Sequence, residues 1–191
     1  MASFFESTGH GGAAIELDEF EASILRSLEV QMLELIGPPP GGESDDPLAA
    51  LFAEGPSRAP GDPALLRLFP DAYGGPGAPE DPRTAEMAAE FRRYTELDLR
   101  ARKREDALAV VRALDGLGGA GGELEVGPDD FQRWLGAMND LRLTLAVRLE
   151  VSEEDADELY RLPDSDPRKP LVIAYLWLGG LQESLLDAMT G

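Results

Sequence analysis

The chain has 191 residues, 43% of them hydrophobic, which suits one domain with a real core. Its 37 acidic and 17 basic residues give a formal net charge of -20, which repels a phosphate backbone and makes direct nucleic-acid binding a poor fit. It has no cysteine and one histidine, which excludes disulfides, thiolate metal sites and a cysteine nucleophile, and would leave a zinc site to carboxylates; no metal and no cofactor is expected.

The opening MASFFESTGHGG lacks the basic start and apolar run of a signal peptide, so the expected compartment is the cytoplasm. Residues 3–6 and 13–17 are β-compatible and flank STGHGG, whose glycines permit a tight reversal; a small hairpin is predicted, marginal unless something packs on it. His10 lies in that turn and reads as an exposed turn residue. Asp18 followed three residues later by Glu21 is a capping-box pattern, and Gly37 with the prolines after it stops the helix they open. Ile24, Leu25, Leu28, Met32, Leu35 and Ile36 form its apolar stripe, while Glu19, Arg26, Glu29 and Glu34 are expected to face water.

Residues 37–82 hold most of the prolines and form an irregular insertion. Two apolar islands, 48–52 and 65–69, follow Asp46-Pro47 and Asp62-Pro63, where aspartate caps and proline suits the first helical position. They predict two short helices docked on the core, against the alternative of a linker. Asp81-Pro82 opens the next helix, through Met87, Ala88, Phe91 and Tyr94. A second cap pattern at Thr95 and Asp98 favours two helices meeting there over one long helix to Leu114. The later segment is expected to bury Leu97, Leu108, Val111 and Leu114.

GLGGAGG lacks the ending of a phosphate-binding loop and reads as a reversal. Residues 124–126 can add a strand to the hairpin. Pro128 with Asp129 and Asp130 then starts a helix to about residue 150, striped by Phe131, Trp134, Leu135, Met138, Leu141, Leu145 and Leu149. A short helix is expected over 152–162, its acidic cluster being a helix start and solvated face rather than a calcium loop. The last helix, 167–191, is apolar all round from 171 to 178 and should be the post on which the first helix and the 128–150 helix pack, Gly179 and Gly180 allowing close helix approach. Its apolar run is too short to span a bilayer. The expected fold is mainly α: a single-domain bundle of about five main helices plus short ones, with a small N-terminal β-hairpin.

Two constellations could carry function. Arg92, Arg93, Arg100, Arg102, Lys103, Arg104 and Arg112 concentrate positive charge in an acidic chain, either as a dock for an acidic partner or as internal charge compensation; Arg92, Arg93, Arg100, Lys103 and Arg104 are the partner-binding candidates. In MNDLRLTLAVRL, Asn139, Asp140, Arg142, Thr144 and Arg148 set a polar seam among leucines, which reads as structural hydrogen bonding or, with less support, an anion-binding carboxylate site. No catalytic residue is assigned.

EFRRYTELDLRARKREDALAVV, FQRWLGAMNDLRLTLAVRLEVSEEDA and AYLWLGGLQESLLDAM together resemble an actinobacterial domain-of-unknown-function family encoded beside the Clp protease adaptor and cysteine-biosynthesis genes, also named actinomycete oxidative stress regulators. The resemblance implies a cytoplasmic helical regulator acting by protein–protein interaction, with a sigma factor or the transcription machinery as partner. It marks Arg93, Lys103, Trp134, Asn139, Asp140, Arg142, Arg148, Trp177 and Gln182 as family-pattern positions without catalytic roles. The cysteine pair of the family's redox mechanism is absent here, so a disulfide of this chain's own cannot sense oxidants. The alternative it implies is an accessory role in Clp-adaptor proteostasis or cysteine biosynthesis. A basic strip on an acidic chain is also compatible with a homodimer.

Overall fold

The computed structural model describes residues 3–9, 11–38, 54–74, 81–151, 159 and 161–190. Their order is β1 (Glu6–Ser7), β2 (Ala13–Leu17), α1 (Glu19–Ile36), α2 (Pro63–Leu68), α3 (Pro82–Asp115), β3 (Gly122–Val126), α4 (Phe131–Arg148) and α5 (Lys169–Thr190). The protein is mainly helical, with a small antiparallel sheet in the order β1-β2-β3. His10, the island at 48–52 and most of the helix expected over 152–162 lie outside the described residues.

Alternation explains the sheet. Ala13, Ile15 and Leu17 of β2 are buried, as are Leu124 and Val126 of β3, and the register sets Ile15 opposite Leu124. The hairpin has the partners it needed: β3 on one side, and α5 beneath, where the Phe5 amide donates to Ser184 Oγ at 3.1 Å. Gly121 sits where β2 passes into α1. Its φ is +76°, and a Cβ there would lie 2.5 Å from the Leu17 carbonyl oxygen and 2.8 Å from the backbone of Asp18 and Glu19. Gly121→Ala combines left-handed strain with a backbone clash and is expected to cost ~2–4 kcal/mol, read as a lower urea midpoint at unchanged slope. A midpoint equal to that of the parent would contradict this packing.

The capping box at α1 forms as the spacing predicts: the Glu21 amide donates to Asp18 Oδ1 at 2.8 Å and the Asp18 amide to Glu21 Oε2 at 3.1 Å. Gly37, at φ +86°, closes the other end. One expectation fails on this helix. Glu29 does not face water; it is fully buried. The Asp62-Pro63 cap also forms, with Asp62 Oδ1 accepting from the Ala64 and Leu65 amides, and α2 delivers Leu68 and Phe69 to the core.

The expected break near Thr95 is absent. Here α3 runs unbroken for 34 residues, about 50 Å at the helical rise, and the Thr95 hydroxyl donates back to the Phe91 carbonyl at 2.8 Å instead of capping. Its inner face is also rotated from the expected one. Ala88, Arg92 and Glu96 are buried, whereas Met87, Phe91 and Tyr94 are exposed; further along, Ala107, Val110, Val111 and Leu114 are buried and Leu97 and Leu108 only partly.

Pro128 and its acidic neighbours form a turn, with the Asp130 and Phe131 amides donating to the Gly127 carbonyl, so α4 starts three residues later than expected. It is α4, not the C-terminal helix, that occupies the centre: α2, α3 and α5 all pack on it, and α1 packs chiefly on α3. The apolar run opening α5 is buried on one side only. Val172 joins Leu149 and Leu159 in a small satellite cluster, while Leu171 and Ile173 are exposed. Gly180 lies against the Phe4 ring from the N-terminal segment, and Gly179 lies against the Arg142 guanidinium of α4. The close approaches are thus a strand-side ring and a side chain rather than another helix backbone.

Candidate functional site

The cationic face of α3 crosses the C-terminal end of α1, where the last carbonyls have no helical donors. Arg100 Nη1 donates to the Ile36 carbonyl at 2.7 Å, and Arg104 Nη1 donates to the carbonyls of Leu33 and Gly37. The last turn of α1 carries no basic residue of its own, so these two arginines supply the positive charge that its dipole favours. Arg100 also stacks over the Phe69 ring, 4.3 Å from its centroid.

Arg92 is the most enclosed of the group, at 4% exposure. It donates to the Phe69 carbonyl at 2.9 Å and to Asp71 Oδ1 at 2.8 Å, and pairs with Glu96 one turn on. Glu96 is shared, its other oxygen accepting from Arg100 at 2.8 Å. All five partner-binding candidates therefore have intramolecular partners, which is the charge-compensation reading of the cluster; those of Arg92, Arg100, Lys103 and Arg104 are at least partly buried. Arg93 points outward; it pairs with Glu54 at 2.7 Å and lies over the Tyr94 ring. Arg102 and Arg112 are exposed.

Where α1, α3 and α4 meet, three acids gather. Lys103 Nζ donates to Asp140 Oδ1 at 2.6 Å, joining α3 to α4 through a largely buried pair. Asp106, one turn from Lys103, lies against Gly136, where a Cβ would stand 3.0 Å from its Oδ2. Glu29 comes from α1, and neither of its oxygens has a hydrogen-bond partner among the described residues. Burial pushes its carboxyl up to about 8, and the negative charges of Asp140 and Asp106 push the same way. Burial likewise raises Asp140 against the pull of Lys103, and raises Asp106 with help from Asp140. Thr144, one turn from Asp140, adds a buried hydroxyl without a partner. Sequence reasoning found Asp140 and Thr144 but missed Glu29 and Asp106. Glu29 was findable: it falls between Leu25 and Met32 at helical spacing, on the stripe itself.

The other family-pattern positions scatter. Trp134 is a core residue, edge-on to Phe5 with centroids 5.9 Å apart, whereas Asn139 and Arg148 are exposed. Arg142 and Gln182 come together from α4 and α5 at 2.5 Å. Trp177 is partly buried, its indole nitrogen enclosed without a partner. The expected seam from Asp140 through Thr144 to Arg148 thus ends at Thr144. Among the described residues, no group of three or more His, Cys, Asp or Glu side chains is placed to hold a metal, and no helix is long and apolar enough to cross a membrane.

A family profile described as a domain of unknown function (DUF2017) matches residues 1–189. Over 178 residues the chain is 33% identical to proteins named oxidative stress regulator AosR from Mycobacterium bovis and Mycobacterium tuberculosis, covering 90% of this chain and 79% of each relative. No solved structure matches it.

Proposed function

We propose a regulatory role in the oxidative-stress response for this chain, which belongs to the DUF2017 family. The support for the role is the name carried by its mycobacterial relatives, across nearly the whole chain. The mode of action we infer is binding to a protein partner, a sigma factor or another part of the transcription machinery, without chemistry of its own. A charge of -20 favours a protein over DNA as the direct contact. No disulfide within these 191 residues serves as the sensor, since there is no cysteine.

The observation that carries the binding mode is an exposed strip on the outer face of α3. Met87, Phe91 and Tyr94 are 41%, 45% and 66% exposed, and Tyr73 stands edge-on to Phe91 with centroids 5.9 Å apart. Aromatic residues, methionine and arginine are the types enriched at interface centres, and Arg93 completes the set. Affinity capture from the native host, before and after peroxide, tests the reading. A sigma factor or polymerase subunit is expected with the parent chain and is expected to be lost with Phe91→Glu, which alters an exposed side chain. Retention of only a Clp adaptor or a cysteine-biosynthetic enzyme would replace this reading with an accessory role.

A further inference from the structure

On the far side of α4 from the acid cluster's helix α1, a groove of about 720 Å³ opens between the end of α4 and α5. Its size is that of a small-molecule site. Apolar walls come from Val151, Leu159, Leu176 and Leu186, and the polar end is made by Arg142 and Gln182. The arginine is the unusual part. Nη1 donates to Gln182 Oε1 at 2.5 Å, and the guanidinium carbon lies 5.5 Å from the centre of the Tyr175 ring. Its Nε is enclosed and has no hydrogen-bond partner, and no carboxylate among the described residues pairs with it.

A cation with an enclosed, unused donor is an unfavourable arrangement by itself, and the Nε–Nη2 edge of this guanidinium, which lies against Gly179 so that a ligand must reach it past that glycine, has a defined shape. With Nη1 engaged, Nε and Nη2 remain as the parallel pair that a carboxylate binds through both oxygens. Gln182 contributes further: because its oxygen is turned to Arg142, its amide nitrogen is free to donate. A second negative charge on the ligand would meet Glu183, which also lines the groove.

We propose that this groove is a binding site for a small amphipathic monocarboxylate, Arg142 and Gln182 receiving the carboxylate and Leu159, Leu176 and Leu186 the apolar body. The site is separate from the α3 strip and does not depend on the regulatory reading.

Octanoate, octan-1-ol and octylammonium are the probes, titrated into the full chain and followed by NMR at the Arg142 Nε–H and the Tyr175 ring, with calorimetry alongside. Octanoate is expected to shift both signals and to bind at least tenfold more tightly than octan-1-ol, with octylammonium weaker still. Arg142→Met should remove the tenfold preference while leaving octan-1-ol binding unchanged. Leu186→Asp alters a wall residue that is 38% exposed, so it tests the site even if Arg142→Met fails to fold; the lost apolar contact and the added negative charge should weaken octanoate binding at least threefold. Equal binding of octanoate and octan-1-ol, or millimolar octanoate without a shift at Arg142, overturns the proposal.

Discussion

Glu29→Leu is expected to stabilise this chain near pH 8 and to flatten its pH dependence between about pH 5 and 8. Glu29 is wholly enclosed at the junction of α1, α3 and α4, with both oxygens unpaired and its carboxyl pushed from 4.5 up to about 8. The groups that act on it are Asp106 of α3 and Asp140 of α4, both negative when ionised, with the Lys103 ammonium already bonded to Asp140. Since the folded state holds this proton more tightly than the unfolded chain, the contribution is fully present below the ordinary value of 4.5. It declines as pH rises above that value and is lost as pH passes about 8. The slope approaches ~1.4 kcal/mol per pH unit while the folded carboxyl stays protonated and the unfolded one is ionised.

Leucine removes both the ionisation and the unpaired oxygens at similar volume. The gain near pH 8 should be roughly 4–5 kcal/mol, shrinking to about 1 near pH 5, where only the unpaired oxygens are relieved. Asp106 and Asp140, whose carboxyls are also raised, leave the variant a residual loss of stability as pH rises from the ordinary carboxylate range. Urea unfolding at a series of pH values measures this directly. A parent whose stability is flat across that range, or a variant less stable than the parent near pH 8, would contradict the enclosed, proton-holding Glu29.

Local signals were legible in the sequence because their chemistry is local. The Asp18–Glu21 box and the Asp62-Pro63 start each need only a few neighbouring residues and form where the spacing puts them; the hairpin forms too, but its first strand is Glu6–Ser7 rather than residues 3–6. What the spacing missed depends on tertiary partners. Thr95 has the residue type of a cap, but the α3 backbone continues through it and turns its hydroxyl to Phe91. Composition likewise put the apolar run of α5 at the centre. Centrality goes instead to α4, because α2, α3 and α5 all pack on it while Leu171 and Ile173 stay exposed. Of the two constellations, the sequence gathered the right residues but not their partners. Arginines four and seven residues apart on a helix read equally well as a surface strip or an inward row; the carbonyls of Leu33, Ile36 and Gly37 that decide it are more than sixty residues away. The Arg142–Gln182 contact, 40 residues apart, was likewise visible only as two members of one family pattern.

The inward row makes the second large prediction, on Arg92. The guanidinium bridges α3 to the chain just beyond α2 through the Phe69 carbonyl and Asp71, and it neutralises Glu96, which is only 3% exposed. Arg92→Leu keeps the bulk of the side chain but leaves the Phe69 carbonyl without this donor and Glu96 with Arg100 alone. Breaking a buried pair from one side typically costs ~3–5 kcal/mol, and the remaining Arg100 bond places this case near the lower figure, about 3 kcal/mol. Replacing both charges is a different matter. In Arg92→Leu with Glu96→Leu the buried carboxylate goes as well, and Arg100 keeps the Ile36 carbonyl and the Phe69 ring, so part of the loss should be recovered, giving a coupling of roughly 2 kcal/mol in a double-mutant cycle. The damage in the single variant should also be local first. Amide exchange should accelerate at Leu66 and Phe69, whose N–H groups donate within α2 and its last turn, before it does in α4, because α2 is a short helix held from outside itself. Additive single and double variants, or an Arg92→Leu loss no larger than that of an ordinary surface change, ~0.5 kcal/mol, would show that α2 is held by Leu68 and Phe69 packing alone.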